Sequence, residues 1–400
     1  MKRNKVGVYD SVVAGGDIVK AFTPAPLPPE PKLEFDYSLM QSATKAHYAL
    51  GALNGLSRLP DLDLFLYQYV RKEAVLSSQI EGTQSTLDDL LLYEDGDTPG
   101  VPFDDVIEVS NYLRALNHGM NRLFSDNFPL STRLIKEMHA ELLDHGRGSD
   151  KMPGEFKRSQ NWLGGVRPKD AVFVPTPPQQ TLQAMGDLES FINGEAQELP
   201  ALIVAGLAHV QFETIHPFLD GNGRLGRMLI TLILCERGLL DKPSLYLSLY
   251  FKAHRGEYYQ KLQSVRKDGD WEGWLKFYLD GVTTTAMNAV ETAEKMRNVF
   301  LADRELLQNA GLSSSGVVKT HEHMFGRIST NIKSIAEKTK LTIPTVSSAL
   351  QKMEDLGVLE ETTGRQRGKR YLYSSVYKAL ASDLGDFDND EESRPDDLDM

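Results

Sequence analysis

The stretch His216-Pro217-Phe218-Leu219-Asp220-Gly221-Asn222-Gly223-Arg224-Leu225-Gly226-Arg227 decides how this chain reads. It joins two segments, Pro200 to Ile215 and Leu225 to Glu236, that are apolar on nearly every face and so predict helices in the middle of a bundle. Pro217 stops the first helix at or near His216, which fixes the imidazole at a helix end instead of on a side face. Gly221, Asn222 and Gly223 tolerate positive φ and carry little bulk. Their backbone N–H groups can therefore point into one concavity at the start of the second helix, where the dipole also favours an anion. Arg224 and Arg227, three residues apart, share the first turn and add cationic contacts suited to a polyphosphate. Asp220 offers a hard oxygen of the kind Mg²⁺ takes, one or two carboxylates together with substrate phosphates.

Working outward, 41% hydrophobic and 25% charged residues over 400 describe a folded protein of several domains, not a disordered chain. The run Met1-Lys2-Arg3-Asn4-Lys5 leads into mixed sequence and no stretch of about 18 apolar residues occurs, which predicts a cytoplasmic protein without a membrane span. The single Cys235 closes an apolar run and reads as a buried thiol. Formal net charge is −12, but Ser382 to Met400 holds nine acids against Arg394 alone, so the imbalance sits in a tail expected to be disordered over 381–400.

Five prolines between Phe22 and Lys32 predict an extended arm over 1–36. Helical spacing predicts an N-terminal helical segment over 37–100, broken at Leu59-Pro60, and further helices over Asp104–Phe124 and Ser131–Leu143. Trp162 to Val174, with Gly164-Gly165 inside and prolines beyond, reads as a hairpin within a helical unit spanning 101–310. From Ile332 to Tyr373 two short helical patterns precede two strand-like runs, which predicts a small separate α+β domain over 311–380.

The quoted stretch matches every specified position of H-P-F-x-[D/E]-G-N-G-R-x-x-R and so resembles the Fic family motif. The resemblance implies a mainly α fold: a Fic-type helical bundle with a β-hairpin flap, followed by a small winged-helix domain. It implies an enzyme that moves AMP from ATP onto Ser, Thr or Tyr hydroxyls of proteins, its own included, with Mg²⁺. His216 is then the general base, Asp220 the metal ligand, and Gly221 to Gly223 with Arg224 the anion cradle, while Arg227 grips the γ-phosphate. Pro217, Phe218 and Leu219 complete the nucleotide loop. Gln211 either borders the nucleotide or is a satisfied core amide, and Tyr258 and Tyr259 either face the adenine or belong to the core.

Ser77-Ser78-Gln79-Ile80-Glu81-Gly82 resembles the inhibitory [S/T]-x-x-x-E-[G/N] motif of many Fic proteins. Gly82 would cap the helix, so Ser77 and Glu81 share one face and the carboxylate sits at the unfavourable negative end of the dipole. The resemblance names Arg227 as its partner, so that Glu81 displaces the γ-phosphate. The same glutamate could instead position a water that removes AMP. The flap is either an edge onto which a target adds as a strand or a structural hairpin. Ile332 to Tyr373 holds eight Lys or Arg against five Asp or Glu. A recognition helix bearing Thr345, Ser348 and Lys352, with Arg365, Arg367, Lys369 and Arg370 beyond it, fits either DNA or a docking or homodimer role. A DNA-binding regulator whose Fic core only senses nucleotide is the alternative function.

Overall fold

The computed structural model describes residues 3, 6–56, 63–96, 98–194 and 198–385. Strands β1 (Gly7–Ala14) and β2 (Asp17–Pro24) pair antiparallel with Val12 opposite Val19. The expected arm over 1–36 is therefore corrected: a Gly15-Gly16 turn flanked by Val12, Val13, Ile18 and Val19 is a hairpin signal, and the prolines begin only where β2 ends. Residues 25–36 carry neither helix nor strand, as the prolines require.

Three helices follow, α1 (Tyr37–Leu56), α2 (Asp63–Ile80) and α3 (Leu87–Glu94). The Leu59-Pro60 break lies outside the described residues. Thr86 starts α3 with a capping box, its hydroxyl accepting from the Asp89 N–H while the Asp89 carboxylate accepts from the Thr86 N–H. Helices α4 (Phe103–Phe124), α5 (Thr132–Leu142) and α6 (Pro178–Asn193) surround α7 (Ala201–Ile215) and α8 (Asn222–Glu236). Every residue of α7 from Leu202 to Ile215 is buried, which is why its sequence is apolar all round. Close approach is enforced at Gly206, where a Cβ would lie 2.9 Å from the Tyr278 ring. Helices α9 (Ser248–Ala253) and α10 (Arg255–Asp268) lead into α11 (Trp271–Asn309), along which α1 packs.

Residues 162–174 depart from the expected hairpin. One antiparallel bridge, Leu163 to Phe173, closes a loop that contains a 3₁₀ turn over Pro168–Asp170. Pro168 has no N–H to give a ladder, and Gly164 and Gly165 both hold positive φ, 68° and 77°, so regular pairing cannot continue. The outer side of this loop joins β2 instead, where the Phe22 N–H donates to the Val174 carbonyl at 2.9 Å.

After α11 the order is α12 (Ser315–Arg327), β3 (Ser329–Asn331), α13 (Ile332–Thr339), α14 (Ile343–Asp355), β4 (Glu360–Glu361), β5 (Arg370–Leu372) and α15 (Ser374–Gly385). The strands form a small antiparallel sheet ordered β3-β5-β4. Because α15 runs to Gly385, the boundary expected at 381 falls inside a helix, and residues 386–400 of the expected tail lie outside the described residues. This part packs on α2 and α3: Gln68 donates to the Gly326 carbonyl at 2.7 Å, and Arg327 reaches Glu94 at 2.9 Å. Arg370, expected to meet phosphates, is instead buried and paired with Asp95 at 2.8 Å, so only Arg365 and Arg367 of those three arginines face solvent. No helix among the described residues is long and apolar enough to cross a membrane.

Candidate nucleotide site

His216 ends α7 in the left-handed region at φ 49° and ψ 62°, its N–H donating to Phe212 O at 2.8 Å. Lys157 secures that helix end. Its ammonium donates to the His216 carbonyl at 2.8 Å, to Ile215 O at 3.3 Å and to the Asn161 side chain at 2.8 Å, satisfying carbonyls at the negative dipole end. Burial lowers the Lys157 ammonium to about 7. Asn222, expected in the cradle, folds its amide back: it accepts from the Phe218 N–H at 2.9 Å and donates to Phe218 O at 2.9 Å, locking the turn. Phe218 in turn stacks on His139 with ring centroids 3.8 Å apart. The His139 Nδ1 accepts from Gly154 N–H at 2.8 Å, so its Nε2 carries the proton it donates to Asp220 O at 3.1 Å.

The His216 imidazole faces a cavity of about 270 Å³ that Glu81, Gly223, Arg227 and Tyr258 also line. Burial, with help from the charges of Lys157 and Arg266, lowers the imidazole to about 3, so it is neutral at physiological pH. Its Nδ1 has no hydrogen-bond partner among the described residues and stands 3.9 Å from Glu213 Oε2. Burial raises the Glu213 carboxyl to about 7, against the pull of Arg227. At the far wall, residues 163–173 and α10 close the cavity.

Arg227 and Glu81 meet inside this cavity. The Arg227 guanidinium donates to Glu81 Oε1 at 2.7 Å, to Ser77 Oγ at 2.8 Å and to Ser77 O at 2.8 Å. Burial pushes the Glu81 carboxyl up, but the Arg227 charge and hydrogen bond outweigh it and leave the group lowered and ionised. Gly82, at φ 96°, turns the chain away just after the glutamate. Gly223 is glycine for a steric reason: a Cβ there would run into the Glu81 carboxylate and stand 3.1 Å from Arg227. The Arg227 side chain is 3% exposed whereas that of Glu81 is 32% exposed, so the glutamate is the member of the pair that solvent reaches.

The other expected residues separate. Arg224 is committed to Glu108 at 2.9 Å, with Asp220 at 3.5 Å. Asp220 keeps its carboxylate 35% exposed while one oxygen accepts from the Gly221 N–H at 2.6 Å. No group of three or more His, Cys, Asp or Glu among the described residues is arranged to hold a metal alone. An Mg²⁺ held by Asp220 fits that donor set only if phosphates supply further ligands. Tyr258 lines the cavity although buried. The His209 Nδ1–H donates to Gly226 O at 2.9 Å, so its Nε2 accepts the Tyr258 hydroxyl at 2.8 Å. Gln211 lies off the cavity wall and donates to Ala25 O at 2.9 Å, pinning the proline-rich segment. Pro217 and Phe218 are buried supports, and Leu219 is half-buried beside them.

Glu108 was missed by sequence reasoning, and its signal was present: it shares an i, i+4, i+7, i+11 stripe with Tyr112, Ala115 and Gly119, an acid on a buried face of α4. Lys157 carries no comparable signal, since it sits in a loop where a lysine is ordinarily solvated.

Residues 129–234 match the Fic/DOC family and residues 40–121 match the Fic/DOC family N-terminal segment. The protein adenylyltransferase Fic of Culex quinquefasciatus is 28% identical over 230 residues, which are 57% of this chain and 41% of that protein. A probable protein adenylyltransferase of Aquifex aeolicus is 24% identical over 306 residues, 73% of this chain and 89% of its own length. The chain thus spans about two fifths of the insect relative. A crystal structure of a Fic family protein from Desulfovibrio desulfuricans shares the fold, with a TM-score of 0.55 at 19% identity over 86% of this chain and 98% of that one.

Proposed function

We propose that this Fic/DOC family chain transfers AMP from ATP to a hydroxyl of a protein and that Glu81 holds the reaction back. The observation that carries the reading is the cavity in which a neutral His216 and a buried Arg227 face one another across the start of α8. An incoming hydroxyl gives its proton to His216 as its oxygen bonds to the α-phosphorus. The bond to the bridging oxygen breaks, and pyrophosphate leaves with the electron pair. The α8 N-terminus and Gly223 offer N–H groups to the developing charge. Arg227, freed of Glu81, holds the γ-phosphate and so fixes which face of the α-phosphate meets the hydroxyl. Asp220 would hold Mg²⁺, which when bound neutralises phosphate charge. Glu108 keeps Arg224 beside Asp220 and limits its swing.

ATP labelled at the α-phosphate tests this directly. Label retained on protein is expected, with none retained from γ-labelled ATP; the opposite pattern marks phosphoryl transfer. Asp220→Ala is expected to lower turnover at least about tenfold and to raise the Mg²⁺ requirement, since the phosphate-binding backbone remains while the metal loses its carboxylate. Unchanged Mg²⁺ dependence would remove Asp220 from the metal site.

For residues 315–385 the element order and the β3-β5-β4 sheet support a winged-helix reading, which serves either DNA binding or docking. Helix α14 exposes Thr345, Ser348 and Lys352, and Arg365 and Arg367 extend from the β4–β5 loop. Weak binding that falls with salt is expected, with the Arg365→Ala/Arg367→Ala variant losing it. A mobility-shift titration at low salt in which the intact protein shifts nothing would assign this part to docking alone.

A further inference from the structure

A second cavity, about 290 Å³, adjoins the first across a wall that Val172, Phe173, Gln263 and Arg266 share. Arg266 is a buried part of the wall, with its guanidinium 4.0 Å over the Phe173 ring and donating to Glu213 O at 3.1 Å. Three lysines from three separate segments ring the outer end: Lys20 on β2, Lys169 in the 3₁₀ turn and Lys267 at the end of α10. All three are exposed, and none forms an ion pair with another described residue. No carboxylate of the described residues lines this groove, although Asp170 and Asp268 directly follow two of the lysines in sequence. A cluster of exposed positive charge lining a groove raises the local concentration of anionic partners and orients them as they arrive.

We infer that this groove receives an acidic stretch of the target polypeptide, next to the hydroxyl that enters the His216 cavity. The inference rests on the AMP-transfer reading, which makes a protein hydroxyl the acceptor, and adds the charge of the acceptor's surroundings. The two cavities lie on either side of Val172 and Phe173, so an extended chain held in the lysine groove has to pass over that edge to bring its next residues to the His216 side. The lysines then act on target binding, with no part in the chemical step.

The test uses the whole protein and two fluorescent probe peptides, a threonine flanked by glutamates and a threonine flanked by lysines. Anisotropy titration is expected to show salt-sensitive binding of the acidic peptide. Lys20→Glu/Lys169→Glu/Lys267→Glu should weaken it about tenfold or more and favour the basic peptide, because long-range steering follows the sign of the patch. An unchanged melting temperature would show that the variant is folded. Equal affinity of wild type and variant for the acidic peptide, or no binding by either, overturns the inference. A mixed-sequence oligonucleotide that binds the groove more tightly than the peptide also overturns it and assigns the lysines to nucleic acid. Binding is read without ATP, so its failure is separate from failure of label transfer, which would sink the AMP-transfer reading itself.

Discussion

Glu81→Gly is expected to raise AMP incorporation by roughly ten- to a hundredfold. A charge-assisted hydrogen bond contributes about 1.5–3 kcal/mol, and each 1.4 kcal/mol is a factor of ten in rate. Three donations fix Arg227 in the present state: one to Glu81 and two to Ser77. Glycine removes the first and leaves the Ser77 contacts, so the guanidinium stays in place with a donor free for the γ-phosphate. The space that the Glu81 carboxylate takes beside Gly223 opens at the same time. Losing the partner of a buried charge destabilises a fold, so a lower melting temperature should accompany the gain in rate. The pair of outcomes identifies the mechanism. Faster labelling with lower stability is what release of Arg227 produces, whereas lower stability with unchanged labelling would mean that the glutamate only anchors its helix.

His216→Asn should lower transfer by about a hundredfold or more while leaving ATP affinity close to that of the parent, the usual scale for removing a general base. Asparagine is the informative replacement because position 216 holds φ 49°, a conformation that it tolerates better than alanine does. A stable, nucleotide-binding and inactive variant separates the imidazole's chemistry from its place at the end of α7. The depressed imidazole bears on pH as well. With its proton lost above about pH 3, His216 stays neutral through the physiological range, so its titration should leave the rate from pH 5 to 9 level. An acid limb near pH 7 that persists in His216→Asn belongs to the neighbouring Glu213 carboxyl, which burial raises to about 7, and one that vanishes belongs to the imidazole.

Legibility in the sequence followed the locality of each feature. The turn from His216 to Arg227 could be read because proline, glycine and paired arginines act through neighbours a few residues away. Glu81 could be read as far as its place at a helix end, and the resemblance supplied a partner that lies 146 positions along the chain. Arg370 was misread because eight basic residues within 42 positions suggested an exposed patch, whereas Asp95 lies 275 residues away and takes that arginine into an interface. Gln211 and Asn222 carry the same lesson: their polar groups serve the backbone of Ala25 and Phe218, contacts decided by packing. The hairpin over 7–24 was legible at Gly15-Gly16 but masked by the prolines beyond it.

In the proposed reading the His216 cavity moves AMP and Glu81 restrains it. Intact-mass spectrometry of Glu81→Gly, incubated with ATP and Mg²⁺ in the presence of a cell extract, tests it most directly. Protein chains, this one included, are expected to gain the mass of an AMP ester on a hydroxyl. The same incubation with Glu81→Gly/His216→Asn should leave every chain unshifted. A gain of phosphate mass alone, or equal AMP gain in the presence and absence of His216, would contradict it.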